Sequence, residues 1–275
     1  LVDVKGNDGA SLTSAAGISG STVVANHGTA TLKAATDIRN TTIEGNNVTL
    51  DAEGKITNVS VDAAAMADLE AGGNIFHANV SGRNIDAEST AGDIVASTFA
   101  AANKVTLKAA GELDGLTVHA EGADLANAAA LAIDATAGTW IVGGEYIAEL
   151  GSIKMEATAN NIVGAIVTTK QAGATVTLKA GNEIDGVVTE TETDIVASAP
   201  GITGGLYISK NGKIELTTTA EDMSGVYAKA KAGSVTLTTA DGYDIIDSTA
   251  DAHLAAELNS GRAVIDSAAI SATET

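Results

Sequence analysis

The sequence predicts an all-β chain wound as a parallel β-helix, a β-solenoid of about 20 residues per coil. Three observations predict it. One short word recurs at nearly fixed spacing, each copy alternates with period two, and the apolar residues are almost all aliphatic. The word is plainest in "VTLKAAGELDGLTV", starting at Val105, and "VTLKAGNEIDGVV", starting at Val176.

The repeat reads apolar-x-apolar-x-small, then a polar or glycine stretch, then one apolar residue. Its third position is placed at Leu32, Leu50, Leu69, Ala87, Leu107, Ile133, Met155, Leu178, Ile195, Leu216 and Leu237. The small residue two places on runs from Ala34 to Thr239, and the closing apolar residue runs from Ile38 to Ile245. The widest step holds the alanine-rich "ADLANAAALAIDA", read as a short helical turn or an enlarged coil.

Within a unit the alternation is that of half-buried strands. Val105, Leu107 and Ala109 point one way, Thr106 and Lys108 the other; Leu116, Val118 and Ala120 then take the inner face. Helical spacing at i, i+3, i+4 is refused by "VTLTTADG" and "IELTTTAED". Gly, Asn and Asp between runs supply corners. One such unit cannot bury its own inner face, but stacked units can. Residues 1–275 therefore read as a single solenoid domain, a processed chain or a segment of something longer.

Composition agrees. The chain is 45% hydrophobic but only 3% aromatic, with 30 glycines and one proline, Pro200. Such a core is built from Ala, Val, Ile and Leu in thin layers. The formal net charge of −20 repels nucleic acid and anionic membrane surfaces, and no apolar run approaches the ~20 residues that span a bilayer, so neither nucleic acid binding nor membrane insertion is expected. There are no cysteines, so the redox compartment is left open.

"VTLKAAGELDGLTV", "VTLKAGNEIDGVV" and "VTLDAEGKITNVSV" resemble filamentous-haemagglutinin-type repeats of large secreted bacterial adhesins, over about residues 28–265. The resemblance implies a right-handed β-helix, an extracellular or cell-surface location and an adhesive or structural role. The chain departs from that family in its uneven unit lengths and in lacking a recognisable secretion-domain motif at its N-terminus.

Candidate chemistry is sparse. The strongest charge cluster is "ETETD", where Glu190, Glu192 and Asp194 alternate and would share one strand face. A solvated edge that resists sheet pairing is the plain reading. A weak calcium contact or a bridge between molecules is the sharper one, and calcium is the one cation weighed. His27, His77, His119 and His253 lie at no metal-ligand spacing. Trp140 and Tyr146 are weighed as a small sugar-stacking platform against a packing role. Asn40, Asn47, Asn58 and Asn79 head glycosylation sequons. No catalytic constellation is read from the sequence, and no cofactor is called for.

The functional expectation is a non-enzymatic extracellular surface protein forming a rod-like β-helix, structural or adhesive. The alternative is a filament or sheath subunit stacking end to end through open sheet edges, and a polysaccharide-acting enzyme ranks third. Expected partners are like chains end to end or cell-surface glycans.

Overall fold

The computed structural model describes residues 2–261, 265–266 and 269–272. Among the described residues every regular element is a strand, and none is a helix. Parallel strands stack in about 13 coils of ~20 residues, a β-solenoid. Contacts divide the chain into two compact units, Leu1–Asp124 with Ile133–Gly138 and Leu125–Ala132 with Thr139–Thr275.

In the second unit each coil holds three strands, for example Thr175–Ala180, Glu183–Asp185 and Val188–Thr191. Each pairs with its counterpart one coil on: Leu178 meets Ala197, Ile184 meets Ile202, and Thr189 meets Tyr207. In the first unit the third strand of one coil runs into the first strand of the next. Ile38–Ala52 and Ile56–Ala71 are such fused strands, of 15 and 16 residues. Their register shifts between Gly45 and Asn47, a bulge at which the run bends.

The aliphatic pattern explains the core. Ile38, Ile56, Ile75, Ile94 and Leu113 form one inward column of the first unit, each 0% exposed. Ile141, Ile162, Ile184, Ile202, Met223 and Ile245 form it in the second. Full burial of one such side chain stabilises by about 1.5–3 kcal/mol. The column of closing residues therefore stands as the repeat predicts.

Two register positions differ from the sequence reading. Leu107 pairs with Ala135, not Ile133, and Leu178 pairs with Ala197, not Ile195. In both coils the run is apolar at three alternate positions, so a slip of two residues keeps the inward pattern intact. A coil before Leu32 also appears, with Leu12 beside Leu32 and Ile18 beside Ile38. The alanine-rich insert contains turns, not a helix; Ala130 N–H donates to the Asn127 carbonyl at 3.1 Å. At the termini, Leu1, Arg262, Ala263, Val264, Ser267, Ala268 and 273–275 lie outside the described residues. Asp3–Gly6 and Ala269–Ala272 are strands as expected.

Each turn after the short second strand needs one left-handed residue, two places beyond the closing apolar residue. In the first unit these are Gly20, Asn40, Asn58, His77, Ala96 and Gly115, with φ between 47° and 64°. In the second they are Gly143, Gly164, Gly186, Gly204, Gly225 and Asp247, with φ between 48° and 64°. Gly and Asn suit this conformation, whereas alanine pays about 1–2 kcal/mol for it. Replacing Ala96 by Gly is therefore expected to stabilise the protein by about 1 kcal/mol. Gly115→Ala should destabilise by a similar amount, although a Cβ there would meet nothing within 4 Å. Urea unfolding midpoints of the two variants check the pair of signs.

The third strands of the second unit carry a column Tyr146, Val167, Thr189, Tyr207, Ala228 and Ala250. Tyr207 and Thr189 are 0% exposed, and neither the Tyr207 hydroxyl nor Thr189 Oγ1 has a hydrogen-bond partner. Burial pushes the Tyr207 phenol far above its ordinary value, with the Asp185 charge adding to the rise. Gly205 makes room for the ring, since a Cβ there would come within 2.9 Å of it. An unsatisfied buried hydroxyl costs about 1–3 kcal/mol. Tyr207→Phe and Thr189→Val are each expected to raise stability by about 1 kcal/mol, read as a higher urea midpoint at unchanged slope.

Candidate functional site

With the inward columns given to packing, the outward columns carry the chemistry. Each is a ladder of side chains about 4.8 Å apart, contributed by residues roughly 20 positions apart in the chain.

The densest ladder lies on the first strands of the first unit. One column is Thr49, Asp68, Asp86 and Thr106; the next is Lys33, Asp51, Glu70, Glu88 and Lys108. Five carboxylates thus share three adjacent coils, closed at each end by a lysine. Lys33 Nζ lies 2.5 Å from Asp51, and Lys108 Nζ lies 2.5 Å from Glu88. The Asp68 carboxyl is raised above the ordinary carboxylate range, first by desolvation, then by the charges of Asp86, Glu70 and Asp51. Asp86 is raised by desolvation and by Glu88, while Lys104 and Lys108 oppose the rise.

A second feature is a hollow corner where the fused strands of the first unit bend. One part, about 450 Å³, is lined by His27, Glu44, Asn46 and Asp62. Its neighbour, about 350 Å³, is lined by Ser81, Arg83, His119 and Glu121 over Ala64, Ala100 and Ala102. Both parts touch Ala64. The bend demands small inward residues, and Gly45, Ala63, Gly82 and Ala101 supply them in register. A Cβ on Gly45 would sit 2.9 Å from the Asn47 carbonyl oxygen. Ser81 Oγ donates to Asp62 Oδ1 at 3.0 Å, and Arg83 is ion-paired with Asp124. Asn103 Oδ1 accepts the Asp124 N–H at 3.0 Å while Asn103 Nδ2 donates to Asn84 Oδ1 at 2.8 Å. The rim is thereby braced across coils.

The sequence-predicted residues fall as follows. Glu190 and Glu192 both face Lys210, at 3.4 and 2.6 Å, and Glu192 also accepts from Asn211 Nδ2 at 3.3 Å. Asp194 is turned elsewhere, accepting the Lys213 backbone N–H at 3.0 Å. The three carboxylates do not converge. Among the described residues no three His, Asp or Glu side chains form a group able to hold a metal ion.

Asn40 and Asn58 occupy left-handed corners, where Asn58 Nδ2 donates to Asn40 Oδ1 at 3.0 Å. Asn47 sits at the bulge, half-buried, and Asn79 is exposed at the start of a third strand. His77 is a corner residue with its ring 4.0 Å from Phe76. His27 and His119 line the two hollows, and His253 is half-buried beside Lys229 and Asp251. For Tyr146 the packing role, the favoured reading, holds: it is 0% exposed in the core, so it presents no face to a sugar beside Trp140. Sequence reasoning missed the acidic ladder and the hollow corner. Their only signal was the column alignment of outward residues across repeats.

A comparison with protein-family models, characterised proteins and solved structures finds no match for the chain.

The raised carboxyls set a pH dependence. A group held above its ordinary value in the folded state favours folding when protonated. That contribution is complete below the ordinary carboxylate range and is lost as pH rises through the raised value. Asp68→Asn is therefore expected to raise the thermal midpoint at pH 7 and to leave it unchanged near pH 3. Glu156 and Asp251 work the other way. Lys179 and Lys154 lower Glu156, while Lys229 and Ser271 lower Asp251, so their stabilisation is lost on acidification. Midpoints recorded from pH 3 to 8 for Asp68→Asn and Glu156→Gln should diverge in opposite directions.

Proposed function

We propose that this chain is a non-enzymatic surface protein working outside the cell, in which the solenoid holds adhesive faces at fixed spacing and the hollow corner of the first unit binds glycans. The observation that carries the reading is the make-up of that corner. Arg83, Ser81 and Asn46 bring donors; Glu44, Asp62 and Glu121 bring acceptors, over a floor of alanine. A sugar hydroxyl both donates and accepts, so mixed rims of this kind suit it. The likeness of the repeats to filamentous-haemagglutinin-type adhesins supports the same reading.

Glycan-array binding followed by calorimetry tests it. Arg83→Ala is expected to weaken binding about tenfold or more, because a charge-assisted hydrogen bond is worth about 1.5–3 kcal/mol. Thr217→Ala, on an outward strand face of the second unit, should leave it unchanged. Release of reducing ends from the bound glycan would replace the adhesive reading by the enzymatic one.

A second reading is end-to-end assembly into filaments, in which the parallel ladder of one chain continues into that of the next. Negative-stain electron microscopy with calcium and then chelator separates fibres of constant width from separate particles. Fibre loss in chelator would assign the acidic faces a bridging role.

A further inference from the structure

One outward column differs in character between the two units. In the first unit, the leading outward residue of the third strand is Thr22, Thr42, Ser60, Asn79, Thr98 and Thr117. In the second unit the equivalent residues of four successive coils are Ile166, Val188, Leu206 and Tyr227. Ile166 is 46%, Val188 38% and Tyr227 38% exposed, and Leu206 between them is half-buried. The same backbone position thus carries polar side chains in one unit and a solvent-facing apolar ladder in the other. Packing within the coil cannot explain this, since the side chains point away from the core.

The geometry points to this face as a pairing surface for a second copy of the chain, laid antiparallel with its own third strands against these. Two features of the face select that occupant. The first is spacing. A ladder with a repeat of about 4.8 Å is matched knob for knob by another strand ladder, whereas residues on one face of a single extended peptide recur at about 6.6 Å. The second is charge. The column beside the apolar one reads Thr168, Glu190, Ile208, Lys229 and Asp251. A two-fold axis running along the Leu206 strand places Leu206 and Ile208 on their own copies. It sets Val188 opposite Tyr227, Ile166 opposite Thr249, Glu190 opposite Lys229 twice over, and Thr168 opposite Asp251; within its own copy Glu190 lies 3.4 Å from Lys210 and Lys229 2.5 Å from Asp251, so each cross-copy contact extends an existing ion pair. The sequence of charges is complementary to itself only in this reversed order. In a parallel arrangement in register, Glu190 would meet Glu190 and Lys229 would meet Lys229.

The facing strands are four residues wide and five coils long, on the order of 300 Å² per copy. That is less than half of what a standard stable interface buries on each partner. The dimer is therefore weak, and its formation depends on concentration.

Sedimentation velocity of the full chain, from micromolar to millimolar concentration, is the test. A concentration-dependent dimer is expected, and Leu206→Glu, which sets two carboxylates together on the axis, should weaken it at least tenfold. Thr42→Glu, in the same column of the first unit, should leave it unchanged. Because the chain has no cysteine, Leu206→Cys offers a second readout that spares the fold. A short bismaleimide should couple that variant into dimers and should not couple Thr42→Cys. The proposal is overturned by a monomer throughout the range, by a dimer that survives in folded Leu206→Glu, or by equal coupling of the two cysteine variants. Survival in Leu206→Glu would assign association to some other surface, end-to-end contact included.

Discussion

The parallel hydrogen bond from each coil to the next is the interaction on which everything else depends. A coil closes no hydrogen-bonded ring of its own. Its amides find carbonyls about 20 residues away, as when Ile38 N–H donates to Lys55 O and Ile75 N–H to Asp93 O. Fixed register follows, and with it the columns. A residue is surrounded above and below by its equivalents, so its environment is set by column identity more than by its sequence neighbours. Closing such long loops costs entropy before any contact returns it. The inward columns offset that cost by stacking fully buried aliphatic side chains at every layer.

The corners show how far this constraint reaches. The chain must turn at one place per coil with a left-handed residue, and it meets the demand with Gly, Asn, His, Ala or Asp. Serine and threonine just past the corner then bond locally. Thr41 Oγ1 donates to Arg39 O at 2.8 Å, and Ser97 Oγ both accepts from Ala78 N–H at 3.0 Å and donates to Val95 O at 2.9 Å. Acidic side chains cap the turns in the same way. Asp37 and Asp93 accept the backbone N–H groups of Lys55 and Glu112, each at 2.9 Å, one coil away. Much of the polar residue content is thus spent on turning corners, before any of it serves a ligand.

The solenoid was legible because its signal is redundant. Closing residues from Ile38 to Ile245 were readable since an isoleucine or its like follows a glycine-rich corner in nearly every unit. Register was less legible where redundancy ran out. In "LAIDATA" and "DIVASA" three alternate small or apolar residues fit the inward face in two ways, and only the partner strand chooses between them. The candidate sites were harder still. Asn40 and Asn58 looked like sequon heads, yet corner geometry accounts for asparagine at both. "ETETD" looked like one face because its residues alternate locally, but a corner between Glu192 and Asp194 sends the last carboxylate elsewhere. Asp51, Asp68 and Asp86 carry no local motif at all, because their proximity exists only between coils.

Function in such a fold is written in departures from the column average. Inward positions are held by packing at every layer, so a change there is felt as lost stability. Outward positions are bound by no such need, and a short run of unusual residues in one column costs the fold little. A polar column that turns apolar for four coils, or a threonine column that turns acidic for two, is therefore informative in a way that a buried leucine is not. The scaffold explains the repetition, and the exceptions in register are what remain to be explained by partners. Aligning coils by their closing residue, and then comparing outward columns, is thus the physically grounded way to read activity from a chain whose sequence otherwise says one thing many times.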